Sequence, residues 1–245
     1  MTLPGWTESS YTDGGRTFPT YRKGSGPGVI VIHEIPGITP KVQAFAEEVV
    51  SAGFTVVMPS LVGTPGQPMT VGATVKSLSK VCISSEFNTW ARNKTSPITT
   101  WLKALAKDLH TELGGPGVGA LGMCFSGGFA LAMMVDGHVA APVLSQPSMP
   151  FPLSPGLRGD LNLSPADLAS VKEQVAGGCQ VLGLRYKKDP AVGSRFDTLR
   201  KELGDGFIAV ELESTRRTDH SVVTEQRDEA SVQRVLEFFT LKLQA

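Results

Sequence analysis

The chain has 245 residues, 41% of them apolar, and its 23 lysines and arginines balance 23 aspartates and glutamates. Such a length can bury a large core, with one α/β domain as the starting expectation, and the charge balance gives no overall pull towards nucleic acid or an anionic membrane surface. No apolar run reaches bilayer-spanning length, and "MTLPGWTESSYTDGG" at the start has no basic segment followed by an apolar stretch, so the expected address is cytoplasmic.

Strand-like and helical patterns alternate along the chain. The run "GPGVIVIHEI" (26–35) is continuously apolar and bounded by glycine and proline, as expected of a strand buried on both faces. A helical pattern follows at 40–53, with Val42, Phe45, Ala46, Val49 and Val50 on one face, proline in its first turn and glycine at its end. The strand pattern returns at 54–59, 118–123 and 139–144, and again in "CQVLGLRY" (179–186) and "FIAVELE" (207–213). Helical periodicity fills 96–114, 164–178 and 229–243; Ser96 and Ser164 can each cap a helix whose next residue is proline.

This alternation predicts an α/β fold, a mainly parallel sheet with helices on both faces, and no composition break divides residues 1–245 into separate domains. Insertions at 61–94 and 145–163 follow predicted strands. Ligands of parallel sheets bind beyond the carboxyl ends of strands, so both insertions are candidate pocket walls.

Three widely spaced cysteines, Cys82, Cys124 and Cys179, argue against a disulfide framework. The absence of CxxC and HExxH spacing gives no support for a metal site, and no cofactor is expected. Cys124 has a more specific setting. In "GALGMCFSGGFALAMM" it falls between a strand and an apolar helix, with Gly122 before it and Gly127 and Gly128 after, which is the context of a nucleophile elbow. A helix N-terminus favours a thiolate, and the amide that follows can face a developing oxyanion.

A cysteine nucleophile needs a base, and the base an orienting acid, from later strand ends. Asp189, in the turn after residues 179–186, and His220, in the polar loop after 207–213, supply them in the chain order of such enzymes. Asp219 adjoins His220, but neighbouring side chains usually diverge, which favours Asp189 as the orienting acid. His110 and His138 fall in a helix and a short loop, where packing or surface roles are expected. Glu34, in "HEIPGI", stands at the mouth of a buried strand, where a carboxylate is costly unless paired.

Together "HEIPGI", "GMCFSGG", "DPAV" and "DHSVV", in this order and spanning nearly the whole chain, resemble the dienelactone hydrolase family, α/β-hydrolase-fold enzymes with a cysteine nucleophile. The resemblance implies Cys124 as nucleophile, His220 as general base and acid, and Asp189 as the residue holding the imidazole. It also implies that Glu34 hydrogen-bonds the resting thiol and takes part in its deprotonation, with the Ile35 and Phe125 amides as oxyanion hole. Departures are visible: Ser126 stands where glycine is common, Phe87 where tyrosine is usual, and Ile83 and Thr224 at the places of two carboxylate-binding arginines. The lactone specificity of the family name therefore does not transfer.

Phe87, Trp90, Ser145, Met149 and Phe151 are the expected substrate-binding residues, and uncharged esters or lactones the expected substrates, unless Arg92, Arg216 or Arg217 folds inward to replace the missing pair. The chain is thus expected to act on a small molecule, as a monomer or weak homodimer, with neither nucleic acid nor membrane as partner. The competing reading is a non-catalytic ligand sensor or interaction module on the same fold.

Overall fold

A computed structural model describes residues 3–87 and 90–244; residues 1, 2, 88, 89 and 245 lie outside the description, among them two positions of the 61–94 insertion. The strands are β1 (Thr7–Asp13), β2 (Arg16–Lys23), β3 (Gly28–Ile32), β4 (Thr55–Pro59), β5 (Val118–Met123), β6 (Val139–Ser145), β7 (Val181–Tyr186) and β8 (Phe207–Leu212). The helices are α1 (Pro40–Ser51), α2 (Val71–Ile83), α3 (Ile98–Leu113), α4 (Gly127–Met133), α5 (Pro155–Arg158), α6 (Pro165–Ala176), α7 (Arg195–Leu203) and α8 (Glu229–Leu243). One sheet orders the strands β1-β2-β4-β3-β5-β6-β7-β8. From β4 to β8 every pairing is parallel, in agreement with the mainly parallel sheet expected.

The β1–β2 hairpin is antiparallel and also joins β4 antiparallel, a feature the alternation of strands and helices did not foretell. Its strand β1, "TESSYTD", lies largely exposed at the sheet edge and carries no apolar run. The signal was local instead: Asp13 pairs with Arg16 across Gly14 and Gly15, both at positive φ, the geometry of a two-residue hairpin turn.

The central strands separate two cores by simple alternation. Along β3, Ile30 and Ile32 join the cluster containing Trp101, Phe129, Val171 and Phe196 from α3, α4, α6 and α7. Val29 and Val31 point the other way, to Phe45 of α1 and Phe239 of α8. Successive strand side chains face opposite sides, so a strand covered on both faces must be apolar throughout.

Among the described residues four helices begin at a side-chain cap, at Thr39, Thr70, Ser164 and Asp228, and of the two serines expected to cap only Ser164 does. Thr39 accepts from the Val42 amide at 3.3 Å before Pro40, and Ser164 from the Asp167 amide at 3.1 Å before Pro165. Ser96 does not cap: α3 begins at Ile98, and the buried Ser96 hydroxyl lies 2.5 Å from the Phe87 carbonyl and 2.6 Å from Asn162 Oδ1. It links the two insertions instead. Helix α2, within the first insertion, buries only Ser77 and Val81 and leaves Val71, Val75 and Ile83 exposed, which explains why no buried apolar face marked it in the sequence.

Two buried side chains fix the loops at the carboxyl ends of the strands. His33, fully buried just beyond β3, accepts at Nε2 from the amides of Leu61 (3.0 Å) and Val62 (3.4 Å). An amide can only donate, so Nε2 carries no proton and Nδ1–H donates to the Glu34 carbonyl at 2.8 Å. Burial pushes this histidine down to about 4, against its hydrogen bond to Glu34.

Arg195, 1% exposed, opens α7. Its guanidinium donates to the carbonyls of Met149 (3.2 Å), Pro150, Leu157 (3.1 Å) and Asp160 (2.8 Å) in the second insertion, and to those of Ala191 (3.0 Å) and Val192 (2.9 Å) after Asp189. Burial lowers it to about 10, opposed by the charges of Asp160 and Asp189. The Asp160 carboxylate in turn accepts from the Asn93 amide (2.6 Å) and the Asn162 amide (2.8 Å), so the second insertion is bolted to its neighbours on both sides.

His33 and Arg195 make separate stability predictions. The folded state holds His33 neutral while the unfolded chain titrates near 6.5, so its contribution is complete above that pH and is lost as pH falls towards about 4. Urea melts across this window will show the wild type losing up to ~1.4 kcal/mol per pH unit more than His33→Gln; parallel slopes in the two proteins contradict the assignment. Arg195→Met strands buried carbonyls and lowers stability by about 3 kcal/mol, a fall of roughly 6–12 °C in Tm. A Met variant melting within about 2 °C of wild type would show that the carbonyls find other donors.

Candidate active site

The chain turns sharply where β5 ends. Cys124 sits at φ 55°, begins a 3-10 turn through Ser126, and is followed directly by α4. A left-handed non-glycine residue is strained by about 1–3 kcal/mol and is held only by its surroundings. Here they leave no room for larger neighbours: a Cβ on Gly122 would lie 2.1 Å from the Ser126 carbonyl, and one on Gly127 2.6 Å from Pro147 Cα. The Cys124 carbonyl accepts from the Ser148 amide at 2.9 Å. The Ser126 hydroxyl, the departure noted in the sequence, is fully accommodated. It accepts from the Met123 amide at 2.9 Å and lies 3.1 Å from the carbonyls of both Ile32 and His33, tying the elbow to the end of β3.

His220 meets this turn from the loop after β8. Its Nδ1 lies 2.6 Å from Asp189 Oδ2, and the Cys124 thiol is its other side-chain partner. Burial alone would lower the imidazole, but the Cys124 sulfur, the Asp189 bond and the Asp189 charge outweigh it and hold His220 well above its usual range. Asp189 is itself buried and aimed: its Oδ1 accepts from the Ala191 amide at 2.9 Å and its own amide donates to the Tyr186 carbonyl at 3.2 Å. Asp219 turns away. Its carboxylate accepts from the Thr215 amide and hydroxyl and the Arg216 amide at 2.8–2.9 Å, shaping the loop rather than the ring. His110 and His138 lie elsewhere, 3.1 Å apart, Nδ1 to Nδ1.

Glu34 is 2% exposed, and the bond to the resting thiol implied by the family resemblance is not among its contacts. Its Oε2 accepts from Ser221 Oγ at 2.7 Å and from Gln146 Nε2 at 3.2 Å, and its Oε1 from the Thr224 hydroxyl. Burial raises this carboxyl, and the Thr224 and Ser221 hydroxyls partly offset the rise. Gln146, Ser221 and Thr224 were not identified as partners of Glu34 from the sequence; polar residues after β6 and beside His220 were the available signal. Gln226, also missed, holds the His220 loop by accepting from the Ser221 amide at 2.9 Å.

The expected pocket walls divide. Phe87, 2% exposed, packs on Phe125 and Phe129 at centroid distances of 5.7 and 6.3 Å, so it belongs to the core behind the elbow rather than to an open wall. An aromatic ring at that depth is held by apolar packing alone, which accounts for the phenylalanine. Met149 and Ser145 are likewise buried, Ser145 Oγ against Gln146 Oε1. Trp90 is 50% exposed, stacks obliquely on Phe151 at 5.5 Å and donates its indole N–H to the Cys82 carbonyl at 3.1 Å. Ile83, at the end of α2, is 85% exposed and lines no buried site. Arg92, Arg216 and Arg217 are exposed as well. Phe125 is buried against His33 and Ile35 is half-buried, each amide directly following a site residue. A cavity of about 320 Å³ adjoins the Pro36–Gly37 loop and is lined also by Thr64, Lys76, Ser77 and Lys80; no member of the Cys124–His220–Asp189 group lines it.

Among the described residues no cluster of three or more His, Cys, Asp or Glu side chains is placed to hold a metal ion, and no helix is long and apolar enough to cross a membrane.

Comparison with known proteins identifies the family and the fold. The chain matches the family model described as "Dienelactone hydrolase family" over residues 16–242. No curated protein matches it by sequence. Among solved structures, a dienelactone hydrolase from Anabaena variabilis is similar at 19% identity and TM-score 0.66, covering 98% of this chain and 99% of its own. A cold-adapted esterase from an Arctic intertidal metagenomic library aligns at 15% identity and TM-score 0.63, over 99% and 97% of the two chains. A dienelactone hydrolase-like promiscuous phosphotriesterase from metagenomic libraries aligns at 16% identity and TM-score 0.58, over 97% and 98%. These likenesses establish the α/β-hydrolase fold, and the family match adds the chemistry: the chain belongs to the dienelactone hydrolase family and is a carboxylic ester hydrolase.

Proposed function

We propose that the protein hydrolyses uncharged carboxylic esters or lactones through an acyl enzyme on Cys124, with no cofactor. One observation carries this reading: His220 bridges Asp189 and the Cys124 thiol at the tip of a strained strand-to-helix turn. In the proposed cycle the thiol proton passes to His220 Nε2 and the sulfur attacks the ester carbon, placing negative charge on the carbonyl oxygen. The Ile35 and Phe125 amides are its proposed donors. The carbon–oxygen bond to the leaving group then breaks, and that oxygen takes the proton from His220, leaving a thioester. Water attacks the thioester while His220 accepts its proton; the carbon–sulfur bond breaks, the acid departs, and the sulfur recovers its proton. Asp189 fixes the ring with Nδ1–H towards itself and Nε2 towards sulfur, and it stabilises the imidazolium formed twice in each cycle.

The preference for uncharged substrates rests on the fate of the cations. A free carboxylate in a buried site requires a guanidinium or comparable charge, since desolvating it unpaired costs several kcal/mol. Ile83 and Thr224 offer none, and Arg195 spends its donors on backbone carbonyls. Arg92, Arg216 and Arg217 stay exposed. In the same proposal the protein works in the cytoplasm on a small molecule, as a monomer or weak homodimer and without nucleic acid or membrane as partner.

With a panel of short p-nitrophenyl esters, the wild type will turn over and Cys124→Ala and His220→Ala will fall to the buffer rate. Asp189→Asn will lower kcat by about two to four orders of magnitude with KM little changed. Turnover indifferent to Cys124→Ala removes the acyl-enzyme mechanism, and no turnover in any variant favours the sensor reading. For charge selectivity, kcat/KM for a neutral ester will exceed that for cis-dienelactone by about a hundredfold or more. Equal use of the two overturns the preference, and loss of dienelactone activity in a single Arg92, Arg216 or Arg217 variant identifies the cation responsible.

A further inference from the structure

We infer that Thr224, Ser221 and Gln146 are positioning residues that keep the Glu34 carboxyl occupied and away from the Cys124 sulfur, so that in the resting enzyme the thiol proton is shared with His220 alone. The inference rests on Cys124 being the nucleophile and concerns how it is kept ready before substrate arrives.

Glu34 and Cys124 each follow the end of a strand, β3 and β5, which are neighbours in the sheet. Strands β3 and β5 are parallel with Ile32 opposite Gly122, and Glu34 and Cys124 each come two residues after that pair, so they leave adjacent strand ends. The Ser126 hydroxyl, 3.1 Å from the His33 carbonyl, holds the two strand ends together there. A buried carboxyl with a free oxygen takes the nearest donor, and at this position a thiol is a natural one. In this protein neither oxygen is free. Ser221 and Gln146 occupy Oε2, and the Thr224 hydroxyl is the one partner of Oε1 among the described residues.

The restraints are themselves fixed. Ser221 and Thr224 flank the fully buried Val222 and Val223 on the loop that begins at His220, so one segment both delivers the base and restrains the acid. The Gln226 amide donates to the Ser221 carbonyl at 3.0 Å, closing that segment into a turn. Gln146 sits at φ 35° with its Oε1 near Ser145 Oγ and 3.3 Å from the Val222 amide, so its amide group is oriented before it reaches Glu34. All three donors to Glu34 are uncharged. The other groups facing it are His220, whose charge favours the carboxylate, and Glu225, whose charge opposes it. The thiol is left with His220, which Asp189 holds from behind at 2.6 Å. The proton exchanged between Sγ and Nε2 therefore needs no substrate group to dislodge Glu34 first.

The test uses the full-length protein without any ester, following iodoacetamide labelling of each cysteine at neutral pH by peptide mass spectrometry. Cys124 will label at least about tenfold faster than Cys82 and Cys179, whose thiols burial pushes up, and His220→Ala will abolish the difference. Thr224→Val, which frees Oε1, will slow Cys124 labelling about tenfold, and Thr224→Ser will retain the wild-type rate. The decisive comparison is Thr224→Val in a Glu34→Ala background: the slow rate will return to that of Glu34→Ala alone, because the freed carboxyl is its cause. Equal labelling in Thr224→Val and wild type, or an undiminished defect after Glu34 is removed, overturns the inference. Should Thr224→Val fail to fold, Thr224→Ala gives the same comparison, since it also frees Oε1. Labelling as expected in a protein that cleaves no ester would overturn the catalytic reading while leaving this one standing.

Discussion

The close approach of β5 to β3 at the Cys124 turn is the constraint on which the rest of the site depends. A reactive side chain projected from a strand end must leave the pleat, and leaving it here requires a left-handed residue with glycine on either side of the turn. Such strain persists only where neighbouring groups over-determine it. Ser126 is one of them, since its hydroxyl bonds the carbonyls of Ile32, at the end of β3, and His33, next to Glu34. Ser148 is another, through the Cys124 carbonyl. Cys124 is thus held by the segments that follow β3 and β6 on either side of it.

The loops around that turn have no ladder of their own, so their backbone groups are satisfied by buried side chains. His33 takes the amides of Leu61 and Val62, and Arg195 takes carbonyls from both the second insertion and the Asp189 turn. Buried Asp160 does the same for residues 93 and 162, and the exposed Gln226 takes the amide of residue 221. An orphaned buried backbone group costs about 1–3 kcal/mol, so each such side chain decides where its loop can lie. Arg195 fixes the distance between Asp189 and the 149–160 wall because the same rigid fork reaches both.

Legibility in the sequence followed from range. Strands β3 to β6 were readable because burial on both faces forces apolar runs, although the reading at 26–35 extends past β3, which ends at Ile32; β7 and the edge strand β8 were readable from their apolar residues although partly exposed. Cys124, Asp189 and His220 were readable as candidates because each follows a strand, and the structure brings those three together. The edge hairpin was not, since an exposed strand needs no apolar residues. The neighbours of Glu34 were hidden for a different reason: Gln146, Ser221 and Thr224 lie 112, 187 and 190 residues from it, and only the folded sheet makes them adjacent. Phe87 was expected as a pocket wall and lies in the core, because burial and ligand contact select the same side chains.

The substitution at 224 connects this lesson to chemistry. A cation at that place would neutralise Glu34 and could also hold an anionic substrate; a hydroxyl can do neither, but it can satisfy the carboxyl by hydrogen bonding alone. With only neutral donors, the carboxyl is raised by burial and depends on its geometry to stay where it is. The same change therefore bears on two properties at once. On the proposed reading it removes a place for substrate charge and leaves control of Glu34 to residues of the His220 loop and Gln146. On that proposed reading, a site built this way has Cys124 and His220 arranged before an ester enters, and its selectivity comes from the shape and polarity of the walls rather than from a charge-triggered rearrangement.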